Sequence, residues 1–134
     1  MNSKFIEKIF LRIFGVVFNG DNAIFDRYQW LKDNLIPSKE NSNLLDIGCG
    51  NGWAIFLGVQ KGYKSTGLTW SEEAIKQIKE RSELLNLPVN SVVCDARQLD
   101  KFEVEKKFDV IINFENIEHI IDDQKLIHDI SNLL

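Results

Sequence analysis

The chain has 134 residues, 44% hydrophobic and 27% charged, which is the balance of one folded domain rather than of a disordered, collagenous or disulfide-stapled chain. Its formal charge of −4, with acidic and basic residues interspersed, leaves no basic stripe, so a nucleic-acid partner is not expected. Cys49 and Cys94 occur without a CxxC pair or a histidine cluster, so no metal site is expected and a reducing, cytoplasmic setting is.

Residues 3–18 read as a helix with a narrow polar stripe at Lys4, Glu7, Lys8 and Arg12 and a wide apolar face from Phe5 to Val17. The charges interrupt the apolar run, and no small-residue cleavage site follows, so neither a membrane span nor a signal peptide is expected. Two readings stay open for this helix: packing on the domain or a partner, and lying at a membrane surface. Asn19 to Asn22 form a turn cluster, and Tyr28, Trp30, Leu31, Leu35 and Ile36 mark a second helix that ends before Pro37. Residues 1–42 thus form an N-terminal helical segment.

From residue 43 onward short apolar runs alternate with helical periodicity, the pattern of βαβ units and a mostly parallel sheet. The expected strands are Asn43 to Ile47, Lys64 to Leu68, Ser91 to Cys94 and Phe108 to Asn113. The expected helices run from Gly52 to Lys61 with Gly62 as the stop, from an N-cap at Ser71 to Leu85, and from Asp122 or Asp123 to the end. Ala74, Ile75, Ile78 and Leu85 supply the core face of the second of these; Leu126, Ile127, Ile130, Leu133 and Leu134 supply that of the last. His128 falls in a polar position.

The most informative run is Asp46-Ile47-Gly48-Cys49-Gly50-Asn51-Gly52, an acid inside a strand end followed by three alternate glycines. Glycines tolerate positive φ and let a ligand approach the backbone, and the helix that follows offers unpaired N–H groups. A dinucleotide loop would read GxGxxG with a ribose-binding carboxylate roughly 20 residues on. Here the third glycine comes one position early, Trp53 fills its expected place, and Thr69 stands near the carboxylate position.

Residues 43–134 resemble the class I S-adenosylmethionine-dependent methyltransferases. Leu44 to Gly52 is similar to that family's first motif, Gly67-Leu68-Thr69-Trp70-Ser71 to its second-strand end, and Cys94-Asp95-Ala96 to its third. Phe108 to Asn113, followed by Glu118-His119-Ile120, is similar to its fourth-strand motif. The resemblance implies an α/β fold, a Rossmann-like three-layer sandwich with strand order 3-2-1-4, flanked by the N-terminal helices. It also implies S-adenosyl-L-methionine as cofactor. Asp46 would lie near the cationic amino acid part, Gly48, Cys49, Gly50 and Gly52 would form the cradle, and Asp95 and Ala96 would hold the adenine. Asp95 also fits an Asx turn after a strand. Thr69 replaces the family's usual ribose-binding acid, as in the cyclopropane-fatty-acid synthase group, and offers one hydroxyl without charge assistance. Trp70 either covers the adenine or packs in the core.

Asn113, Phe114, Glu115 and His119 are expected beside the transferable methyl group, with His119 the candidate base where the acceptor must lose a proton. Cys49 and Cys94 read as small packing residues. Residues 25–32 and 115–123 resemble methyltransferases found among bacterial surface-polysaccharide genes, which implies a sugar or other small-molecule acceptor. The family sheet has seven strands in order 3-2-1-4-5-7-6, so the resemblance implies a chain cut off after strand four, with that strand a free edge open to self-association. Two alternatives remain at this stage: a cofactor-binding remnant without turnover, and a nucleotide-binding oxidoreductase.

Overall fold

The computed structural model describes residues 5–6, 8–10, 24–40 and 42–134. Phe5, Ile6 and Lys8 to Phe10 are helical; the rest of the helix expected over residues 3–18, and the turn at 19–22, lie outside the described residues.

Four parallel strands form one sheet in the order β3-β2-β1-β4: β1 (Asn43–Ile47), β2 (Lys64–Thr69), β3 (Asn90–Val93) and β4 (Val110–Ile112). Around them lie α1 (Ile24–Asn34), α2 (Trp53–Gln60), α3 (Glu72–Leu85) and α4 (Asp123–Ser131), with 3-10 segments at Ala96–Lys101 and Ile117–His119. This is the three-layer arrangement and strand order expected from the sequence. β1 sits at the centre because it is apolar on both faces, as a strand covered by helices on both sides must be. Leu44 joins Tyr28, Leu31, Phe56 and Ile78 in one core, whereas Leu45 and Ile47 join Leu68, Leu99, Leu126 and Leu133 in the other.

The helices follow from local chemistry. Every residue of α2 from Trp53 to Gly58 is buried, so it lies between the sheet and α1 with no polar face. The Ser71 hydroxyl caps α3 by accepting the Ala74 N–H at 3.2 Å, and Glu72 and Glu73 complement the positive end of the helix. Ile75 and Ile78 of α3 are buried, while Ala74 and Leu85 are half-buried. The Asp122 carboxylate caps α4 by accepting the Lys125 N–H at 2.9 Å.

Several boundaries differ from the sequence reading. β2 runs one residue further, to Thr69, and β3 starts and ends one residue earlier. β4 shrinks to three residues because the Phe108 N–H turns to the Leu133 carbonyl at 2.8 Å and the Asn113 side chain engages the following loop. On α4 the apolar seam is Leu126 and Ile130, continued by Leu133 in the turn beyond the helix. Ile127 and Leu134, expected in the core, are each 56% exposed: Ile127 because a one-residue step on a helix turns a side chain by about 100°, Leu134 because it lies beyond the end of α4. Asp129 takes the buried position instead, paired with the Lys125 ammonium, which also reaches Asp100 at 2.7 Å.

Gly58 brings α2 against β2, where the buried Ser65 hydroxyl has no hydrogen-bond partner among the described residues. A Cβ on Gly58 would lie 2.4 Å from Ser65 Oγ. Gly58→Ala should therefore cost about 1–3 kcal/mol from overpacking. Ser65→Ala should stabilise by about 1 kcal/mol, because it deletes an unsatisfied buried hydroxyl, and should largely rescue Gly58→Ala. Urea denaturation of the two single variants and the double checks all three outcomes; a double variant as unstable as Gly58→Ala would refute the clash.

Candidate functional site

The carboxyl ends of β1, β2 and β3 open into a cleft of about 550 Å³. Open parallel sheets place ligands there, because the loops that leave the strand ends diverge. A hollow of similar size, about 540 Å³, lies at the opposite strand ends beside Asn43, Lys64 and Asn90, away from the glycine turn that follows β1.

The floor of the cleft is the turn after β1. Gly48, Gly50 and Gly52 have φ of 76°, 49° and 85°, in the region that glycine alone enters without cost. The N–H groups of Gly48 and Cys49 both donate to the Leu68 carbonyl, at 2.9 and 2.8 Å, and the Gly52 N–H returns to the Cys49 carbonyl at 2.8 Å. Arg81 of α3 secures the turn by donating to the Asn51 carbonyl at 2.9 Å. A Cβ on Gly48 would come within 2.9 Å of the Asn116 side chain, whereas one on Gly50 would meet nothing within 4 Å. Gly48 is a site of backbone contact with the loop after β4, and Gly50 faces open space.

The walls come from the other strand ends. Thr69 is buried, and its hydroxyl accepts the Ser71 N–H at 3.3 Å. Trp70 is 79% exposed at the rim, which overturns the core alternative for this residue. The Asp95 carboxylate accepts the Arg97 N–H at 2.9 Å in an Asx turn and also receives the Arg97 guanidinium. These bonds hold the Asp95 pKa down at about 2, so the group is anionic at neutral pH. Glu115, Asn116, His119 and Ile120 close the far side.

Of the residues singled out in the sequence, Gly48, Gly50, Thr69, Trp70, Asp95, Ala96, Glu115 and His119 line one cleft. Asp46, Cys49 and Gly52 sit beneath it, and Asn113 and Phe114 line a neighbouring apolar groove between α1 and β4. The sequence reading missed Arg97, Asn116 and Ile120. For Arg97 a signal existed, because an Asx turn at Asp95 presents the backbone and side chain two residues on. Cys49 packs inward, where a Cβ on Gly67 would lie 2.6 Å from its sulfur, and burial together with the nearby Asp46 pushes its thiol pKa up. Among the described residues no group of three or more His, Cys, Asp or Glu is placed to hold a metal, and no helix is long and apolar enough to cross a membrane.

The family described as a methyltransferase domain matches residues 44–134. N-methyltransferase 4 of Papaver somniferum is 39% identical over 97 residues, covering 70% of this chain and 27% of that protein. The ubiquinone biosynthesis O-methyltransferase of Pelagibacter ubique is 31% identical over 117 residues, covering 81% of this chain and 48% of that protein. Among solved structures, coclaurine N-methyltransferase bound to N-methylheliamine and SAH superposes with a TM-score of 0.70 at 24% identity, over 87% of this chain and 36% of that one. The chain thus spans at most about half the length of these relatives.

Burial raises the Asp46 pKa from 3.8 to about 8. Between those values the folded chain keeps a proton that the unfolded chain has released, so stability should fall as pH rises from about 4 to about 8 and level off above. Asp46→Asn should remove this slope in urea titrations across that range; an unchanged slope would assign it to another group.

Proposed function

The chain belongs to the methyltransferase-domain family, and we propose that it binds S-adenosyl-L-methionine in the cleft above the β1 turn and transfers the methyl group to a small-molecule acceptor. The observation that carries this reading is the convergence on one cleft of the Gly48–Gly50 backbone, Thr69, Asp95, Ala96 and His119, which are separate in the chain. The residues fit the cofactor. Gly50 leaves room for close approach, the cleft volume is of the order of known ligand sites, and its rim offers an anionic acceptor, Asp95, and an exposed aromatic ring, Trp70.

In this reading the Asp95 carboxylate accepts from the adenine amino group and the Ala96 N–H donates to the ring. The Thr69 hydroxyl serves the ribose, and Trp70 covers the adenine face. Asp46 sits beneath the turn as a buried acid, ready to ionise when a cationic group approaches; Cys49 and Gly52 shape the turn, and Asn113 orients the loop through Asn116. The bound cofactor supplies an activated methyl group on a cationic sulfur. The chain supplies orientation, through the loop that carries Glu115, Asn116 and His119, and positioning alone accounts for much of such a rate enhancement. His119 accepts a proton where the acceptor is a hydroxyl or an ammonium.

The names of the relatives, N- and O-methyltransferases, support a small-molecule acceptor. The motifs at 25–32 and 115–123 favour a sugar hydroxyl. The free outer edge of β4 supports self-association, since its backbone groups on that side have no sheet neighbour among the described residues.

Calorimetry with S-adenosylmethionine, S-adenosylhomocysteine and NAD should show binding of both adenosyl ligands and not of NAD, and Asp95→Ala should weaken that binding about tenfold, the loss of one charge-assisted bond. Failure to bind either adenosyl ligand would refute the proposal. Methyl transfer from labelled cofactor to a panel of sugars, amines and phenols then separates an enzyme from a binding remnant.

A further inference from the structure

The loop after β4 is held from outside the cleft by helix α1. Glu115 adopts φ of 48°, a left-handed conformation that a glutamate keeps only when its surroundings impose it. Two contacts impose it. The Arg27 guanidinium of α1 pairs with the Glu115 carboxylate, and the adjacent Phe114 ring is wedged between Trp30 of α1, edge-on at 5.8 Å, and Trp53 of α2 at 5.9 Å. Arg27 is only 27% exposed, so its charge is partly withdrawn from water and its geometry restricted. Directly after this grip the chain turns into the cleft. Asn116 seats against Gly48 and donates to Asn113 Oδ1 at 2.8 Å, and His119 follows on the cleft wall.

We propose that Arg27 is a positioning residue for the ligand cleft: through its ion pair with Glu115, helix α1 fixes the distance between the Asn116–His119 wall and the Gly48 turn. The inference rests on the cofactor reading above. Arg27 does not line the cleft, so it acts on a ligand only by way of Glu115 and the loop. Helix α1 is then part of the binding machinery, and losing its charge enlarges the range of loop positions that a ligand has to select from.

The test is S-adenosylhomocysteine affinity, by calorimetry on the whole chain, for wild type, Arg27→Ala, Arg27→Lys, Glu115→Ala and the Arg27→Ala/Glu115→Ala double variant. Arg27→Ala should weaken binding about fivefold, the scale of a partly buried ion pair. Arg27→Lys should recover most of the loss, and the double variant should bind no more weakly than Glu115→Ala alone. Wild-type protein that binds no ligand overturns the cofactor reading. Wild-type protein that binds, with Arg27→Ala binding equally well, overturns the positioning role alone, and additive losses overturn the route through Glu115. Should Arg27→Ala fail to fold, the charge swap Arg27→Glu/Glu115→Arg decides: it should bind more tightly than Arg27→Glu, and equal affinity overturns the proposal.

Discussion

Where β1 ends, the N–H groups of Gly48 and Cys49 share the Leu68 carbonyl, and the backbone turns under a loop that leaves no space for a side chain. This pair of bonds ties the end of the central strand to its neighbour and aims the glycine turn upward. β1 pairs with β2 on one side and β4 on the other, in registers that set Asp46 level with Gly67 and Ile112. The cleft walls are therefore the continuations of strands already locked to the turn. A displaced turn would move every wall relative to the floor, and the turn holds its positive φ values without strain because glycines, lacking a Cβ, occupy them.

The same constraint explains an electrostatic arrangement with no structural benefit of its own. By the two-residue period of a strand, Asp46 shares a face with Leu44, and that face packs under α1 and α2. Burial alone raises its pKa, and its charge adds to the burial that raises that of Cys49. A leucine at position 46 would suit the apolar core better. Asp95 shows the opposite balance: it stands at the rim, near solvent, and Arg97 keeps it ionised. The cleft thus has a neutralised acid below its floor and an anion on its wall, and a ligand with a cationic end and a hydrogen-bond-donating end meets both.

The parts of this arrangement that depend on near neighbours in the chain are legible in the sequence. β1 matches its expected bounds because its apolar run is flanked by polar residues and glycines, and Ser71 and Asp122 announce their helices through side chains that cap within three residues. Gly62, at φ of 89°, stops α2 where expected. The misses have long-range causes. β4 is short because Leu133, near the other end of the motif region, takes the Phe108 N–H. Ile127 and Leu134 look like core by composition, but only one stripe of α4 faces the core and Leu134 lies past the helix end. Asn116 carries no local signal at all, since its importance comes from Gly48, which reaches it only through the fold.

The N-terminal segment looks separate in sequence, being helical where the rest alternates. Its aromatic side chains contradict that separation. Tyr28 and Trp53 rings lie 6.3 Å apart, Trp53 contacts Phe114, and Phe114 contacts Trp30, so three segments of the chain share one aromatic cluster beside the cleft. Aromatic pairs of this kind add on the order of 1 kcal/mol each beyond area burial, enough together to dock a helix of eleven residues whose other face is polar. Coupling through such a cluster is reciprocal. If ligand binding in the cleft is tighter when α1 is docked, the ligand favours the docked state of α1 by the same free energy.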